Sequence, residues 1–391
     1  MKAKSIIGNS TAEIQSEMDK VLSDGFSPTL AIVFISVKQD RKAIIDLLLQ
    51  KDMNVFGATS CGEFINGRQE NGTAVILLLD INQDYYTVFI EDATNDKISQ
   101  VAEHMASVAL NKFSKPAFII CSTGVTENKE IFDGASLIHH LEKIVGSDVS
   151  IYGGMAGDDA TFKGSYVFTN KHTTDSGVAA IVLDSEKINL NGLAISGWKP
   201  LGITRTITKC EDGWILKIDD QPALEMYLKY LGKKLLPGDD KFKLFEEVGI
   251  HHPFLMEDLN NPVIRTPFMI NREKEALRLD FDVPEGTRFR FSMPPDFDIV
   301  ETILESATEI KNKGNAEAEA LLIFSCFGRL SALGPLVKLE NDGLGELWNA
   351  PMAGFFTYGE YGTSASGKQE FHSTTCSWVA LKEKYPSTSS G

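Results

Sequence analysis

The chain contains, at Val55-Phe-Gly-Ala-Thr-Ser-Cys-Gly-Glu-Phe64, a glycine-rich stretch that decides its fold, because the pattern occurs three times. The other copies are Ile151-Tyr-Gly-Gly-Met-Ala-Gly-Asp158 and Met352-Ala-Gly-Phe-Phe-Thr-Tyr-Gly-Glu360. In each copy a glycine opens the loop, and a glycine followed by an acidic residue closes it. Glycine permits positive φ and a close approach of the backbone to a neighbour or a ligand. The pattern predicts an internal structural repeat.

Each glycine loop lies between elements of the same order, with a buried strand and a helix before it and a buried strand after it. In the first copy these are the strand Ala31–Ser36, a helix over 40–51 and the strand Thr73–Leu79. The corresponding strands are Ala117–Ser122 and Gly177–Leu183 in the second copy, and Ala320–Cys326 and Thr375–Leu381 in the third. Strands that are apolar on both faces indicate a sheet covered by helices. The sequence therefore predicts an α/β fold of mixed α+β character, with repeated strand–helix–glycine-loop–strand units in mixed sheets.

The chain between the second and third copies has antiparallel strand patterns. Successive strands are predicted over Ile188–Trp198, Ile203–Cys210 and Trp214–Ile218. A new strand–helix unit begins near Asp219, which predicts one domain over residues 26–218 and a second over 219–382. Because no flexible linker marks this boundary, we expect two closely packed halves.

Composition and charge exclude several classes of protein. The 391 residues are 43% apolar and 24% charged, as in an ordinary globular protein. A net charge of −16 without a useful basic cluster argues against nucleic acid as a partner. The longest apolar runs have strand length, so membrane insertion is not expected. Five cysteines without a CxxC pair predict free thiols in a reducing compartment, the cytoplasm, and no metal site.

Several motifs resemble those of the FIST family, and the match covers nearly the whole chain. The glycine loops at 55–64 and 153–158 resemble the N-terminal FIST domain. Three further stretches resemble the C-terminal FIST domain: Ile218-Asp-Asp-Gln-Pro-Ala-Leu-Glu-Met-Tyr-Leu228, Val283-Pro-Glu-Gly286 and Phe324-Ser-Cys-Phe-Gly-Arg329. The most specific motif is Ala353-Gly-Phe-Phe-Thr-Tyr-Gly-Glu-Tyr-Gly362, followed by Phe371-His-Ser-Thr-Thr375.

The resemblance implies an intracellular sensory protein of signal transduction that binds a small, amino-acid-like molecule. Such modules are often fused to an output domain, for which we expect no room after about residue 382. The expected partner is therefore a separate signalling protein, such as a histidine kinase or a cyclic-di-nucleotide enzyme. We expect no enzymatic activity and no catalytic residues, since HExxH, P-loop and GxGxxG motifs are absent from the sequence. Whether the protein forms a homodimer is left undecided by the sequence.

The third glycine loop and two arginines provide the candidate ligand site. Glu360 suits a ligand ammonium, and Arg329 and Arg265 suit a ligand carboxylate by bidentate hydrogen bonding. The alternative is structural: Glu360 and Glu63 accept backbone N–H bonds that hold the glycine turns, and each arginine pairs with a local acid. The candidate ligand-binding residues are Cys326, Arg329, Phe355, Thr357, Tyr358, Glu360 and Arg265.

One branch of the family that the chain resembles consists of haem-binding nitric oxide sensors that regulate a kinase in trans. Haem needs one neutral imidazole in an apolar pocket. The candidate ligands are His372, beside the third glycine loop, and His252. Against this, a lone histidine is more often hydrogen-bonded within the core than a ligand. An intense Soret band after haem loading would support the alternative.

A cysteine-dependent hydrolase or transferase is the remaining alternative. Cys326 ends a predicted strand, and Cys61 lies in the first glycine loop. Neither has a GxSxG-type pattern or an assignable histidine base. A buried, unreactive thiol is the competing interpretation of both residues. Rapid labelling by a thiol reagent in the native state would support the enzyme.

Overall fold

The computed structural model describes residues 1–234, 244–257, 263–313 and 316–384. Within these ranges it consists of three units of the same element order, except that the third unit has two consecutive helices (Phe327–Leu333 and Leu336–Trp348) where the others have one, and carries an insertion. Each unit runs strand–helix–strand–helix–strand, continues through a two-stranded hairpin and ends on one more strand. The mixed α/β fold class and the repeated unit are confirmed. Each unit is longer than predicted, because a further strand and helix precede the repeat seen in the sequence.

The first unit contains β1 (Lys2–Gly8), α1 (Thr11–Leu22), β2 (Leu30–Ile35), α2 (Arg41–Leu49), β3 (Asn54–Thr59), the hairpin β4 (Glu63–Ile65) and β5 (Arg68–Glu70), and β6 (Ala74–Asp80). The second contains β7 (Tyr86–Asp92), α3 (Ile98–Lys112), β8 (Pro116–Ser122), α4 (Gly134–Val145), β9 (Ile151–Met155), the hairpin β10 (Val167–Thr169) and β11 (Thr173–Thr174), and β12 (Gly177–Asp184).

The third unit begins with β13 (Ile188–Ile195) and is then interrupted. The insertion contains β14 (Lys199–Glu211), β15 (Trp214–Ile218), β16 (Gln221–Pro222), α5 (Ala223–Tyr230), β17 (Phe254–Met256), β18 (Val263–Arg265), β19 (Pro267–Asn271), β20 (Ala276–Leu279) and β21 (Arg288–Met293). The unit resumes with α6 (Ile299–Lys313), β22 (Ala320–Cys326), α7 (Phe327–Leu333), α8 (Leu336–Trp348), β23 (Met352–Thr357), the hairpin β24 (Glu360–Thr363) and β25 (Gln369–His372), and β26 (Cys376–Glu383).

The hairpin of each unit joins the sheet of another unit. The first sheet has the order β1-β6-β2-β3-β10-β11, so its last two strands come from the second unit. The second sheet, β7-β12-β8-β9-β24-β25, takes its last two strands from the third unit. The third sheet, β13-β26-β22-β23-β4-β5, takes its last two from the first unit. Because each hairpin joins the sheet of another unit, the three sheets form a closed ring. The predicted halves, 26–218 and 219–382, therefore share sheets.

The glycine that opens each loop makes this exchange possible. Gly57 pairs with Phe168 of β10, Gly354 with Phe64 of β4, and Gly153 with Tyr361 of β24. At Gly57 and Gly354 an added Cβ would overlap the aromatic ring of the paired residue. An aromatic side chain from the exchanged hairpin therefore occupies the space that glycine leaves. The sequence predicted that these glycines let the backbone approach a neighbour closely. This role applies at Gly57 and Gly354.

The main core lies between the three sheets, and the helices cover their outer faces. Phe34 of β2 packs against Phe355 of β23, with ring centroids 4.3 Å apart, and against Phe324 of β22 at 6.0 Å. Asp40 and Asp133 begin α2 and α4 by accepting hydrogen bonds from the backbone N–H groups of Ala43 and Ser136. Apolar faces of these helices pack on the outsides of the first and second sheets.

The insertion forms a sheet of its own, in the order β18-β17-β21-β14-β15-β20-β19. The predicted boundary at residues 218/219 lies inside this sheet, between the paired strands β15 and β16. The predicted pairing of 188–198 with the strands that follow is wrong, because β13 pairs with β26 in the third sheet. An apolar pattern identifies a strand without specifying its partner.

Candidate functional site

The three glycine loops meet at one end of the ring, where the parallel strand pairs end. Cys61 donates its backbone N–H to Phe356 O at 2.9 Å, and Gly157 donates to Thr59 O at 2.8 Å. Met155 donates to Gly359 O at 2.7 Å. Each loop thus contacts the next through the backbone. In α/β proteins, ligand sites commonly lie at the carboxyl ends of the parallel strands.

Glu63 and Glu360 hold the first and third loops by the same set of hydrogen bonds. Glu63 accepts from the Ser60 hydroxyl and from the N–H and hydroxyl of Thr73. Glu360 accepts from the Thr357 hydroxyl and from the N–H and hydroxyl of Thr375. Burial raises the pKa of both carboxyl groups to about 7. This arrangement matches the structural alternative for both glutamates, which are fully buried.

The second loop differs, because a longer segment separates its acid from the following hairpin. Asp158 accepts hydrogen bonds from the N–H groups of Thr161, Phe162, Lys163 and Gly164, at 2.6–3.2 Å. It also accepts one from the Tyr358 hydroxyl. Segment 159–164 therefore wraps around one buried carboxylate.

Backbone strain in this segment places an aromatic ring over the third loop. Asp159, Ala160 and Phe162 have φ values of +54°, +60° and +51°, a region that non-glycine residues rarely adopt. The Phe162 ring stacks on the Tyr358 ring with centroids 4.7 Å apart and an interplanar angle of 11°. Strained backbone is often found at functional sites.

A cavity of about 70 Å³ lies beneath this stack, between the second unit, the third unit and the inserted sheet. The second unit contributes the end of β8 and Phe162, and the third contributes Cys326 and the third loop. The lining residues are Gly124, Val125, Ile131, Met155, Phe162, Phe245, Ile250, Thr266, Phe268, Asp280, Phe281, Cys326, Phe327, Gly328, Thr357, Tyr358, Ser373 and Thr374.

Asp280 supplies a carboxyl group to this cavity. Its Oδ1 accepts from the N–H groups of Thr266 and Phe281 at 2.9 and 3.0 Å, and its Oδ2 accepts from the Ser373 hydroxyl at 2.6 Å. Burial raises its pKa, against the opposing effect of the Arg265 guanidinium. The charge of Asp280 is thus held in place by both the inserted sheet and the third unit.

A wider cleft of about 760 Å³ adjoins the cavity. Ile131, Phe268, Asp280 and Phe281 line both spaces. Arg265 lines the cleft, donates to Ile264 O at 2.9 Å and lies over the Phe281 ring at 5.4 Å. A molecule that extends from the cavity into the cleft would therefore meet a carboxylate and then a guanidinium.

The structure brings together only part of the predicted ligand site. Cys326, Thr357 and Tyr358 line the cavity, and Arg265 lines the adjoining cleft. Phe355 lies in the core between the sheets. Glu360 lies behind Thr357, outside the cavity wall.

Arg329 also lies outside the wall, in a buried ion pair. Its guanidinium contacts Glu340 at 2.7 Å, and both side chains are fully buried. It further donates to the carbonyl groups of Ser196 and Thr374. This is the local pairing that the sequence offered as the structural alternative, with Glu340 as the partner.

The two candidate haem ligands line neither the cavity nor the cleft. His372 Nε2 lies 3.2 Å from Gly362 O, and burial lowers the pKa of its imidazole to about 4. His252 Nδ1 lies 3.0 Å from Ser292 O. Because neither imidazole faces the cavity or the cleft, these residues do not fit the group. Haem binding stays a prediction.

Burial disfavours the thiolate form of both candidate nucleophiles. It raises the pKa of Cys61 to about 12, and that of Cys326 well above the usual thiol value. A cysteine nucleophile needs the opposite, a lowered pKa in an accessible, electropositive site. The environment of both thiols therefore favours the unreactive interpretation.

The sequence interpretation missed Asp280 and most of the aromatic lining. The signal for Phe162 was available, since the second loop departs from the others by a longer spacing between Gly157-Asp158 and the next strand. Phe268, Asp280 and Phe281 carried no such signal, because they come from the inserted sheet, whose position against the units depends on long-range packing.

An aromatic-lined cavity beside the second and third glycine loops, with a larger cleft adjoining it, is the kind of space in which proteins bind small ligands. The chain belongs to the FIST family: the FIST N domain matches residues 29–221, and the FIST C domain matches residues 223–363. FIST domains are sensory domains of signal transduction that bind small ligands. In the described part of the chain, no helix combines the length and apolarity needed to cross a membrane.

The chain is also similar to an uncharacterized protein of Methanocaldococcus jannaschii. The two are 24% identical over 298 residues, which cover 71% of this chain and 55% of the relative. The chain thus matches about half the length of that protein.

Proposed function

We propose that the protein senses a small, amino-acid-like molecule bound in the cavity and the adjoining cleft. The supporting observation is the order of groups along these spaces: aromatic rings and the Asp280 carboxylate in the cavity, then Arg265 in the cleft. Asp280 would attract an ammonium group and Arg265 a carboxylate, each through opposite charge. Glu360 is hydrogen-bonded to Thr357 and Thr375, and Arg329 is paired with Glu340. These two residues therefore have no part in this proposal.

The same proposal gives the protein a non-enzymatic role that acts through a separate signalling protein, such as a histidine kinase or a cyclic-di-nucleotide enzyme. Ligand occupancy would favour one arrangement of the inserted sheet against the units, since the cavity wall draws residues from both. The raised pKa values of Cys61 and Cys326 support a role without thiol chemistry. The five free cysteines support a cytoplasmic location.

A thermal-shift screen over amino acids and related zwitterions tests the proposal. A ligand at 100 times its Kd should raise the Tm of a chain of this length by about 3 °C. Asp280→Asn and Arg265→Met should each remove most of that shift. Asp220→Asn is the matched control, because Asp220 is exposed and lies at the edge of the inserted sheet, away from the cavity. Absence of a shift with every compound, or equal shifts in all three variants, would contradict the proposal.

A further inference from the structure

Aromatic rings dominate the wall of the cavity. Phe162, Phe245, Phe268 and Tyr358 form a connected cluster, which we call the aromatic wall. The Phe162 and Tyr358 rings stack, and the Phe162 centroid lies 6.3 Å from that of Phe245 and 6.1 Å from that of Phe268. Phe281 and Phe327 also line the cavity. Six aromatic side chains therefore line this small space.

Three carboxyl groups lie in or just behind the wall of this space, and the Arg329 guanidinium, paired with Glu340, lies behind Thr374. Asp280 lines the cavity, and its three protein hydrogen bonds leave acceptor capacity, because a carboxylate offers about four positions. Asp158 lies behind the aromatic wall, at the hydroxyl of Tyr358. Glu360 lies behind Thr357. The guanidinium of Arg265 is on the cleft side, over Phe281.

Each class of small ligand would meet these groups differently. An anion in the cavity would lie beside the Asp280 carboxylate, which is unfavourable. A neutral ligand would gain from apolar burial alone. A cation with alkyl substituents would gain from apolar burial, from the attraction of positive charge to ring faces, and from Asp280 as its counter-ion. A primary ammonium would keep the charge but press unsatisfied N–H groups against the rings.

We propose that the cavity selects a substituted ammonium group, such as an N-methylated or other N-alkylated amine, with the aromatic wall around the alkyl groups and Asp280 as the counter-ion. This inference rests on the proposed function, since it names the class of ligand for the same site. A ligand with both this group and a carboxylate would also reach Arg265 in the cleft.

The test compares two molecules of the same shape that differ in charge. Choline and its neutral carbon analogue 3,3-dimethyl-1-butanol are titrated into the full chain by calorimetry. Choline should bind about tenfold more tightly than the analogue. In Asp280→Asn this ratio should fall close to one, and in Phe162→Leu both affinities should fall, that of choline more. The control Asp220→Asn should retain the ratio of the unchanged protein, and circular dichroism checks that each variant is folded.

The outcomes separate this inference from the proposed function. If zwitterions raise the Tm but choline binds no better than its neutral analogue, the substituted-ammonium inference is wrong and the sensory proposal stands. If the neutral analogue or a carboxylate such as propionate binds more tightly than choline, the inference is also wrong. Failure of every compound in both experiments would remove both proposals together.

Discussion

The glycine loops of the first and third units share the hydrogen bonds of their acids and differ in the residue two places before the acid and in their surroundings. Glu63 and Glu360 accept hydrogen bonds from a hydroxyl three residues earlier and from the threonine that precedes the last strand of the unit. Two residues before the acid, the first loop has Cys61 and the third has Tyr358. The Cys61 thiol is buried against Gly157, whereas the Tyr358 ring lines the cavity.

The inserted sheet accounts for the rest of the difference. It interrupts only the third unit, between β13 and α6, and supplies Thr266, Phe268, Asp280 and Phe281 to the space beside the third loop. The hydrogen bonds of the loop acids are thus a property of the repeat. The cavity arises where the repeat is broken, by the insertion in the third unit and by the longer loop of the second.

Gly354→Ala tests the close contact between the opening glycine of a loop and the aromatic ring of the exchanged hairpin. The new Cβ would overlap the Phe64 ring of the exchanged hairpin, and this pair lies in the buried interior. We expect a loss of about 3 kcal/mol or more in the free energy of unfolding, measured by urea denaturation. Gly328→Ala is the control, because its Cβ meets its nearest atom at 3.5 Å in a helix, and should stay within about 1 kcal/mol of the original protein. Equal losses in the two variants would show that the glycine–aromatic contact is not required.

Glu63→Gln and Glu360→Gln test whether the two acids are equivalent. Burial gives each carboxyl group a folded-state pKa of about 7, against an ordinary value of 4.5 for glutamate. Between pH 4.5 and pH 7 each carboxyl group is therefore protonated in the folded state and ionised in the unfolded state. Its contribution to the free energy of unfolding is complete below pH 4.5 and is lost as the pH rises to 7. Each acid should contribute about 3 kcal/mol to this pH dependence of the free energy of unfolding.

Each glutamine variant should lose its share of the pH dependence, which urea denaturation at pH 5 and pH 8 would measure. The groups that face these acids are the hydroxyls of Ser60 and Thr73 with Asp159 nearby for Glu63, and the hydroxyls of Thr357 and Thr375 with the Cys326 thiol for Glu360. A variant with the pH dependence of the original protein would contradict the assignment for that loop.

Tyr358→Phe and Cys61→Ala compare the position two residues before the acid in the two loops. Tyr358→Phe removes a hydroxyl donor from the Asp158 carboxylate, which should lower the free energy of unfolding by about 2 kcal/mol. Cys61→Ala removes a buried thiol and should cost about 1 kcal/mol. Urea denaturation of both variants at one pH gives the comparison. A larger loss for Cys61→Ala would indicate that the Tyr358–Asp158 contact does not hold segment 159–164.

The repeat could be predicted from the sequence because the same constraints recur in its units. A glycine is required at residues 57 and 354 by an aromatic ring of the exchanged hairpin, and an acid at residues 63 and 360 by hydrogen bonds within its own loop and to one nearby threonine. Such constraints leave the same residues at the same spacing. The proximity of the third loop to Cys326 also followed from strand order, since parallel strands end at the same edge.

The rest of the site could not be predicted because it depends on contacts distant in the chain. Glu340 is only 11 residues from Arg329, but it lies on a different helix, and the pair is buried only when α7 and α8 pack on the third sheet. Asp280 has the sequence context of an ordinary strand end. Its contact with Ser373 spans 93 residues.

The sequence by itself determined three units, their glycine loops and the family of the protein. These depend on side-chain size, backbone freedom and hydrophobic periodicity, which recur at the same spacing in each unit. The tertiary structure decided that the hairpins exchange between sheets, that β13 pairs with β26, that Asp280 lies beside the third loop and that Arg265 lines the adjoining cleft. Strand pairing and sheet packing reduce the free energy through apolar contacts that many partners could offer, so the choice among partners is made only when the whole chain is packed.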